Sequence, residues 1–117
     1  NDQSEPNALA IAEEYIGRAF RMTPWVPHIR GTRAALLIEQ GGFREGIDEA
    51  LETAKIFAKE DKTPAGPGNQ AACLATAAIG HHRSGNRAEA TRLLGQAVVL
   101  GATELSVQKA RQEIGSI

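Results

Sequence analysis

At 117 residues the chain has room for one domain with a modest core and too little for two. Hydrophobic residues make up 42% but aromatics only 4%, so a core must be built largely from Ala, Leu and Ile. Such small side chains favour closely stacked helices over a sheet of bulky cross-strand pairs. The 13 Lys and Arg against 14 Asp and Glu leave a net charge of −1, which argues against nucleic acid as a partner. Cys73 is the one cysteine, so neither an internal disulfide nor a four-cysteine metal site can form. Set among alanines, it reads as a small buried hydrophobe. No apolar run approaches the roughly 20 residues of a membrane helix, and no signal peptide is visible. The expectation is a cytoplasmic protein with no direct membrane insertion. The chain starts at Asn1 rather than Met, which reads as a piece of something longer.

Taken in order, residues 1–4 form a polar lead-in with Ser4 as a candidate N-cap. From Glu5 to about Met22, Leu9, Ala12, Ile16, Ala19 and Phe20 make one helical face, which Pro24 stops. Trp25 lies between Pro24 and Pro27, either as a plug between consecutive helices or as an exposed anchor. A second helix is predicted from Pro27 to about Gln40, ending at Gly41-Gly42. A third starts near Phe43 with Ile47, Ala50, Leu51, Ala54 and Phe57 on one face. Residues 59–68, KEDKTPAGPG, are charged and then rich in Pro and Gly, and read as a loop contributing nothing to the core. Asn69 can cap a fourth helix, Gln70 to about Ser84. Gly85-Asn86 ends that helix and caps a fifth, Arg87 to Leu100. Thr103 can cap a sixth, reaching about Gly115 with Val107, Ala110 and Ile114 inward.

Internal spacing is the strongest signal. Ala12, Ile16, Ala19 and Pro24 match Gly46, Ala50, Thr53 and Ala58 after a shift of 34 residues. Gly46, Ala50 and Thr53 match Ala90, Leu94 and Ala97 after 44, and the ten residues 59–68 account for the excess. A 34-residue helix-turn-helix period is that of the tetratricopeptide repeat. The stretches Gly41-Gly42-Phe43-Arg44-Glu45-Gly46-Ile47 and Gly85-Asn86-Arg87-Ala88-Glu89-Ala90 resemble that repeat's turn and second-helix start. Ala34 and Ala78 fall where its first helix needs a small residue for close contact.

The resemblance implies an all-α fold of stacked antiparallel helical hairpins, a TPR-like α-solenoid of about six helices. Its parts would be a half repeat over 5–24, a repeat over 27–58, an inserted loop over 59–68, a repeat over 69–102 and a capping helix over 103–115. Two features depart from the family pattern. Arg30 and Arg33 occupy slots that are usually apolar, which means either a slipped register or arginines whose heads reach water; His81 replaces the usual aromatic. A fainter likeness, in residues 31–38 and the following turn, is to repeat segments attached to bacterial membrane proteases and signalling enzymes.

Chemistry is sparse. His81 and His82 are adjacent on a helix, about 100° apart, and Cys73 lies two turns back, so a shared metal ion is not expected. His81 is expected to pack between helices and His82 to lie on the surface. Gly66-Pro67-Gly68 lacks the Lys and the preceding strand of a phosphate loop. No motif joins Ser, His and Asp, so neither enzyme nor cofactor is expected.

By the resemblance, a protein or peptide partner would lie on a concave face made by His28, Thr32, Ala35, Glu39, Ala72, Thr76, Ile79, His82 and Arg83. The same residues would equally make a plain solvated face. The Lys and Asn pattern that clamps a terminal carboxylate is absent: His28 and Ala72 stand in the Lys slots, Thr32 and Thr76 in the Asn slots. The alternative is a bracing or dimerising module beside a catalytic or membrane domain. The first helix lacks a preceding partner, leaving part of Leu9, Tyr15 and Phe20 open for self-association.

Overall fold

The apolar positions that recur at helical spacing produce six helices and no other regular element among the described residues. They are α1 Ser4–Met22, α2 Pro27–Glu39, α3 Phe43–Glu60, α4 Gly66–Arg83, α5 Arg87–Gly101 and α6 Leu105–Ile114. The computed structural model describes residues 4–22 and 26–115, and within α1 the side chains of residues 8–16 and 18 only. Trp25, the side chain of Phe20 and the cap role of Ser4 lie outside what is described.

Consecutive helices pack as adjacent antiparallel pairs. α4 is the centre, touching α2, α3, α5 and α6, whereas among the described residues α1 touches α2 alone. That position explains the composition of α4: Ala71, Cys73, Ala75, Ala77, Ala78 and Gly80 are buried around most of its circumference. A helix apolar on nearly all sides must be an interior one. The radius of gyration is 13.8 Å and the extents 35 × 31 × 24 Å, dimensions of a compact globule of this length rather than of an elongated superhelix.

Two turns share one design. α2 ends with Gly41 at φ 87° and α4 with Gly85 at φ 91°, a left-handed conformation open to Gly and costly for other residues. The amide of Gly42 donates to the Leu37 carbonyl at 2.8 Å, and that of Gly41 to Ile38 at 3.1 Å. Forty-four residues on, Asn86 donates to His81 at 2.8 Å and Gly85 to His82 at 3.2 Å. Both are Schellman closures, satisfying carbonyls that a helix end leaves open. Only the second gains a side-chain cap, the Asn86 oxygen accepting from the Glu89 amide at 3.3 Å.

Small residues set the helix crossings. A Cβ on Gly46 would stand 2.6 Å from Ile38 Cγ1 and 3.0 Å from the Ala34 carbonyl, so α3 lies directly on α2 there. Ala34, Ala78 and Ala90 are fully buried, as a close crossing requires. Gly80 performs the same service for α4, since a Cβ there would meet Ile47 Cγ1 at 2.6 Å and Ile38 Cδ1 at 3.0 Å. Among the described residues ten of the 17 buried hydrophobics are alanines, so the helices approach one another without bulky spacers.

Three expectations need correction. Residues 59–68 are not a loop throughout. Lys59 and Glu60 finish α3, residues 61–65 make the connection, and Gly66-Pro67-Gly68 is the first turn of α4. Proline is accepted there because the first amides of a helix have no internal partner. Gly66 is required by close approach, since a Cβ there would fall 2.3 Å from the Asp61 carbonyl; one on Gly68 would meet only the end of the flexible Glu104 side chain.

Asn69 does not cap α4. Its side-chain Nδ2 instead donates to Asp61 Oδ2 at 3.0 Å, while the Thr63 backbone amide donates to Oδ1, also at 3.0 Å. Bonds from the Thr63 hydroxyl and amide, with Asn69, hold the Asp61 carboxyl below its ordinary value. The N-cap of α6 is Glu104 rather than Thr103, and it makes no side-chain cap bond.

The two arginines in apolar slots end in ion pairs rather than free in water. Arg30 Nε donates to Glu49 Oε1 at 2.9 Å, with Nη2 on the same oxygen, and Arg33 Nη1 donates to Oε2 at 3.1 Å. The Glu49 side chain is only 12% exposed and pairs with both half-buried guanidiniums on α2, while Arg33 Nη2 also reaches Glu45 Oε1 at 3.5 Å.

Candidate functional site

The even-numbered helices α2, α4 and α6 share one face, and the candidate site lies on it. His28, Gly31, Thr32 and Ala35 of α2, Ala72, Cys73 and Thr76 of α4, and Ser106 of α6 line a cleft of about 260 Å³. Phe57 reaches in from α3 and meets the His28 ring edge-on, with centroids 5.0 Å apart and planes at 68°. A smaller adjoining cleft is lined by Ala35, Ile38, Glu39, Thr76, Ile79, Ser106 and Lys109.

The floor is therefore small and weakly polar. Thr32 and Thr76 each turn their hydroxyl back to a carbonyl of their own helix, His28 and Ala72 respectively, both at 3.0 Å. Each hydroxyl oxygen keeps accepting capacity toward the cleft.

One end of this face is closed by ion pairing. Arg83 Nε and Nη2 donate to the two carboxylate oxygens of Glu113 on α6, each at 2.7 Å, and Nη1 donates to Glu39 Oε1 on α2 at 3.0 Å. The bonds it donates to Glu113, then that to Glu39, raise the Arg83 pKa above its ordinary value. Glu113 is held correspondingly low. Of the residues named from the sequence, His28, Thr32, Ala35, Glu39, Ala72, Thr76 and Ile79 line the two clefts. Arg83 and Glu39 pair with each other rather than standing free. His82 is half-buried and lines neither cleft.

Sequence reasoning missed the third wall, Ser106 and Lys109. Ser106 stands 34 residues after Ala72, so the repeat shift itself carried the missing signal. A scan against protein-family models found no match, and neither did searches of curated proteins and of solved structures. The residues alone must carry the functional reading.

Cys73 is 5% exposed, and burial pushes its thiol up to about 12, which leaves it protonated and unreactive at neutral pH. His81 lines a separate cleft between the two turns with Phe43, Ile47 and Asp48, so it does not converge with Cys73. Among the described residues no group of three His, Cys, Asp or Glu side chains could hold a metal ion. No described helix is long and apolar enough to cross a membrane.

A second surface lies at the N-terminal end. Ala8, Ile11, Ala12, Tyr15 and Ile16 of α1 face Thr32 and Leu36 of α2 across an apolar cleft of about 550 Å³. Ile11 is 68% and Tyr15 70% exposed, with Leu9 at 36%.

Proposed function

We propose that this chain is a non-catalytic protein–protein interaction module of the tetratricopeptide type, part of a larger bacterial protein. It takes a peptide or protein segment on the face formed by α2, α4 and α6. The observation that carries the reading is the joint lining of one cleft by His28, Thr32, Ala35, Ala72, Thr76 and Ser106 from three helices. Its small, weakly polar floor suits a partner that approaches closely and is recognised by shape and hydrogen bonds rather than by charge. Support for the repeat comes from the two Schellman turns that coincide bond for bond 44 residues apart. It comes also from the buried small residues Gly46 and Ala90 that follow them.

Peptides selected from a random display library against the full chain provide the test. Thr76→Arg and Ala35→Glu should each abolish binding of the selected peptides, whereas Tyr15→Ser should leave it unchanged. Peptides indifferent to both groove substitutions, or a failure to select any, would remove the reading.

The second reading, a bracing or self-associating module, is favoured by the exposed Ile11 and Tyr15 on α1. It predicts a concentration-dependent dimer in sedimentation that Ile11→Asp disperses. A monomer at every concentration would count against it.

A further inference from the structure

We propose that α6 is a latched wall of the cleft, which opens as a unit while α2–α5 stay folded, and that Arg83 is its latch. α6 has ten residues, and only Val107 and Ala110 on it are buried. It reaches the rest of the molecule through α4 and α5 alone. Its two buried side chains share the cluster that holds Leu94 and Ala97 of α5, so opening uncovers the apolar seat they now fill. The helix before it ends at Gly101, and residues 102–104 form the connection about which α6 can move.

At the far end of α6 an ion pair adds to the packing of the partly buried Ile114. Arg83 grips both oxygens of Glu113 and, through Nη1, is itself braced by Glu39 on α2. One guanidinium thus ties together the ends of all three helices that line the cleft. Other charged groups near the latch are His82 of α4 and Lys109 of α6, both acting on Glu113.

A ten-residue helix with two buried side chains, a partly buried Ile114 and one ionic anchor belongs to the low-stability end of a fold, where local opening precedes global unfolding. When α6 swings away, Ser106 and Lys109 leave the cleft and its third wall is lost. The cleft then has two forms, three-walled and two-walled, and breaking the latch shifts the balance between them. This holds whether or not the cleft binds a peptide.

Hydrogen exchange read by mass spectrometry on the full chain is the test. In the wild type, α6 amides should exchange faster than those of α4 and α5. Glu113→Gln should speed exchange in α6 roughly threefold, the scale of a partly exposed ion pair, and leave α2–α5 unchanged. Glu89→Gln, which removes the same charge from the local Glu89–Arg92 pair on α5, should leave α6 at its wild-type rate. The proposal is overturned if α6 exchanges as slowly as α4 in both wild type and Glu113→Gln. It is equally overturned if Glu113→Gln accelerates all the helices in proportion, which would make the pair a global contact rather than a latch.

Discussion

The hairpins α2–α3 and α4–α5 have the same turn and different fillings. A shift of 44 residues carries the Gly41 closure onto Gly85, Ala34 onto Ala78, and Gly46 onto Ala90. The same shift carries Arg30, Arg33 and Glu49 onto Leu74, Ala77 and Leu93. In the first hairpin these three positions hold a half-buried ionic triplet. In the second they hold apolar side chains, of which Ala77 and Leu93 are fully buried. The frame is thus set by a left-handed glycine and a close crossing. What fills the space beside the crossing can be hydrocarbon or ions, provided each guanidinium has a carboxylate, as Arg30 has in Glu49 and Arg33 in Glu49 and Glu45.

The largest effect is expected from replacing residues 59–68 by a short turn. That change removes the last turn of α3 and the first of α4, and with them the spacing between the hairpins. Circular dichroism should show loss of the cooperative thermal transition. A variant that still unfolds cooperatively would mean the two frames do not depend on that spacing.

Next is Gly46→Val, whose Cβ would lie 2.6 Å from Ile38 Cγ1. It should cost about 3 kcal/mol by forced repacking, measured by urea denaturation. Ala34→Leu and Ala78→Leu should each cost roughly 1–3 kcal/mol, and the two values should agree if the crossings are equivalent. A large cost at one with none at the other would break the equivalence.

A smaller effect comes from pH. The Arg83 bonds hold the Glu113 carboxyl below its ordinary value of 4.5, so the folded state releases that proton more readily than the unfolded chain. Its contribution is therefore complete above pH 4.5 and is lost as pH falls through the lowered folded value. The pair is partly exposed, so the amount is about 0.5 kcal/mol. Denaturation midpoints of Glu113→Gln should converge on the wild type below that range and lie under it at neutral pH. A gap that persists at low pH would assign the difference to something other than this ionisation.

Much of this frame is legible in the sequence because its causes are local. Helical spacing around Ile47, Ala50 and Ala54, and glycine at 41 and 85, act within a few residues. The start of α4 was obscured because Gly66-Pro67-Gly68 is the same punctuation whether it breaks a helix or opens one. Only the close approach to the Asp61 backbone decides between them. The partners of the arginines were hidden for a different reason. Glu49 lies 19 residues from Arg30, and Glu113 lies 30 from Arg83, so those pairs exist only once the helices are packed. The cleft was readable from α2 and α4, while α6 as its third wall depended on where a short helix docks.

The claim that one frame accepts either filling is tested most directly by transplanting the second filling into the first hairpin. Glu49→Leu alone should lower stability by about 1–2 kcal/mol, because it removes the carboxylate that Arg30 uses and one of those that Arg33 uses. The triple variant Arg30→Leu, Arg33→Ala, Glu49→Leu should recover most of that loss, since a matched apolar set can replace an ionic one at little cost. Urea denaturation of the two variants beside the wild type gives the answer. A triple variant within about 0.5 kcal/mol of the wild type is the predicted result. A triple variant as unstable as Glu49→Leu, or more so, would contradict the shared frame.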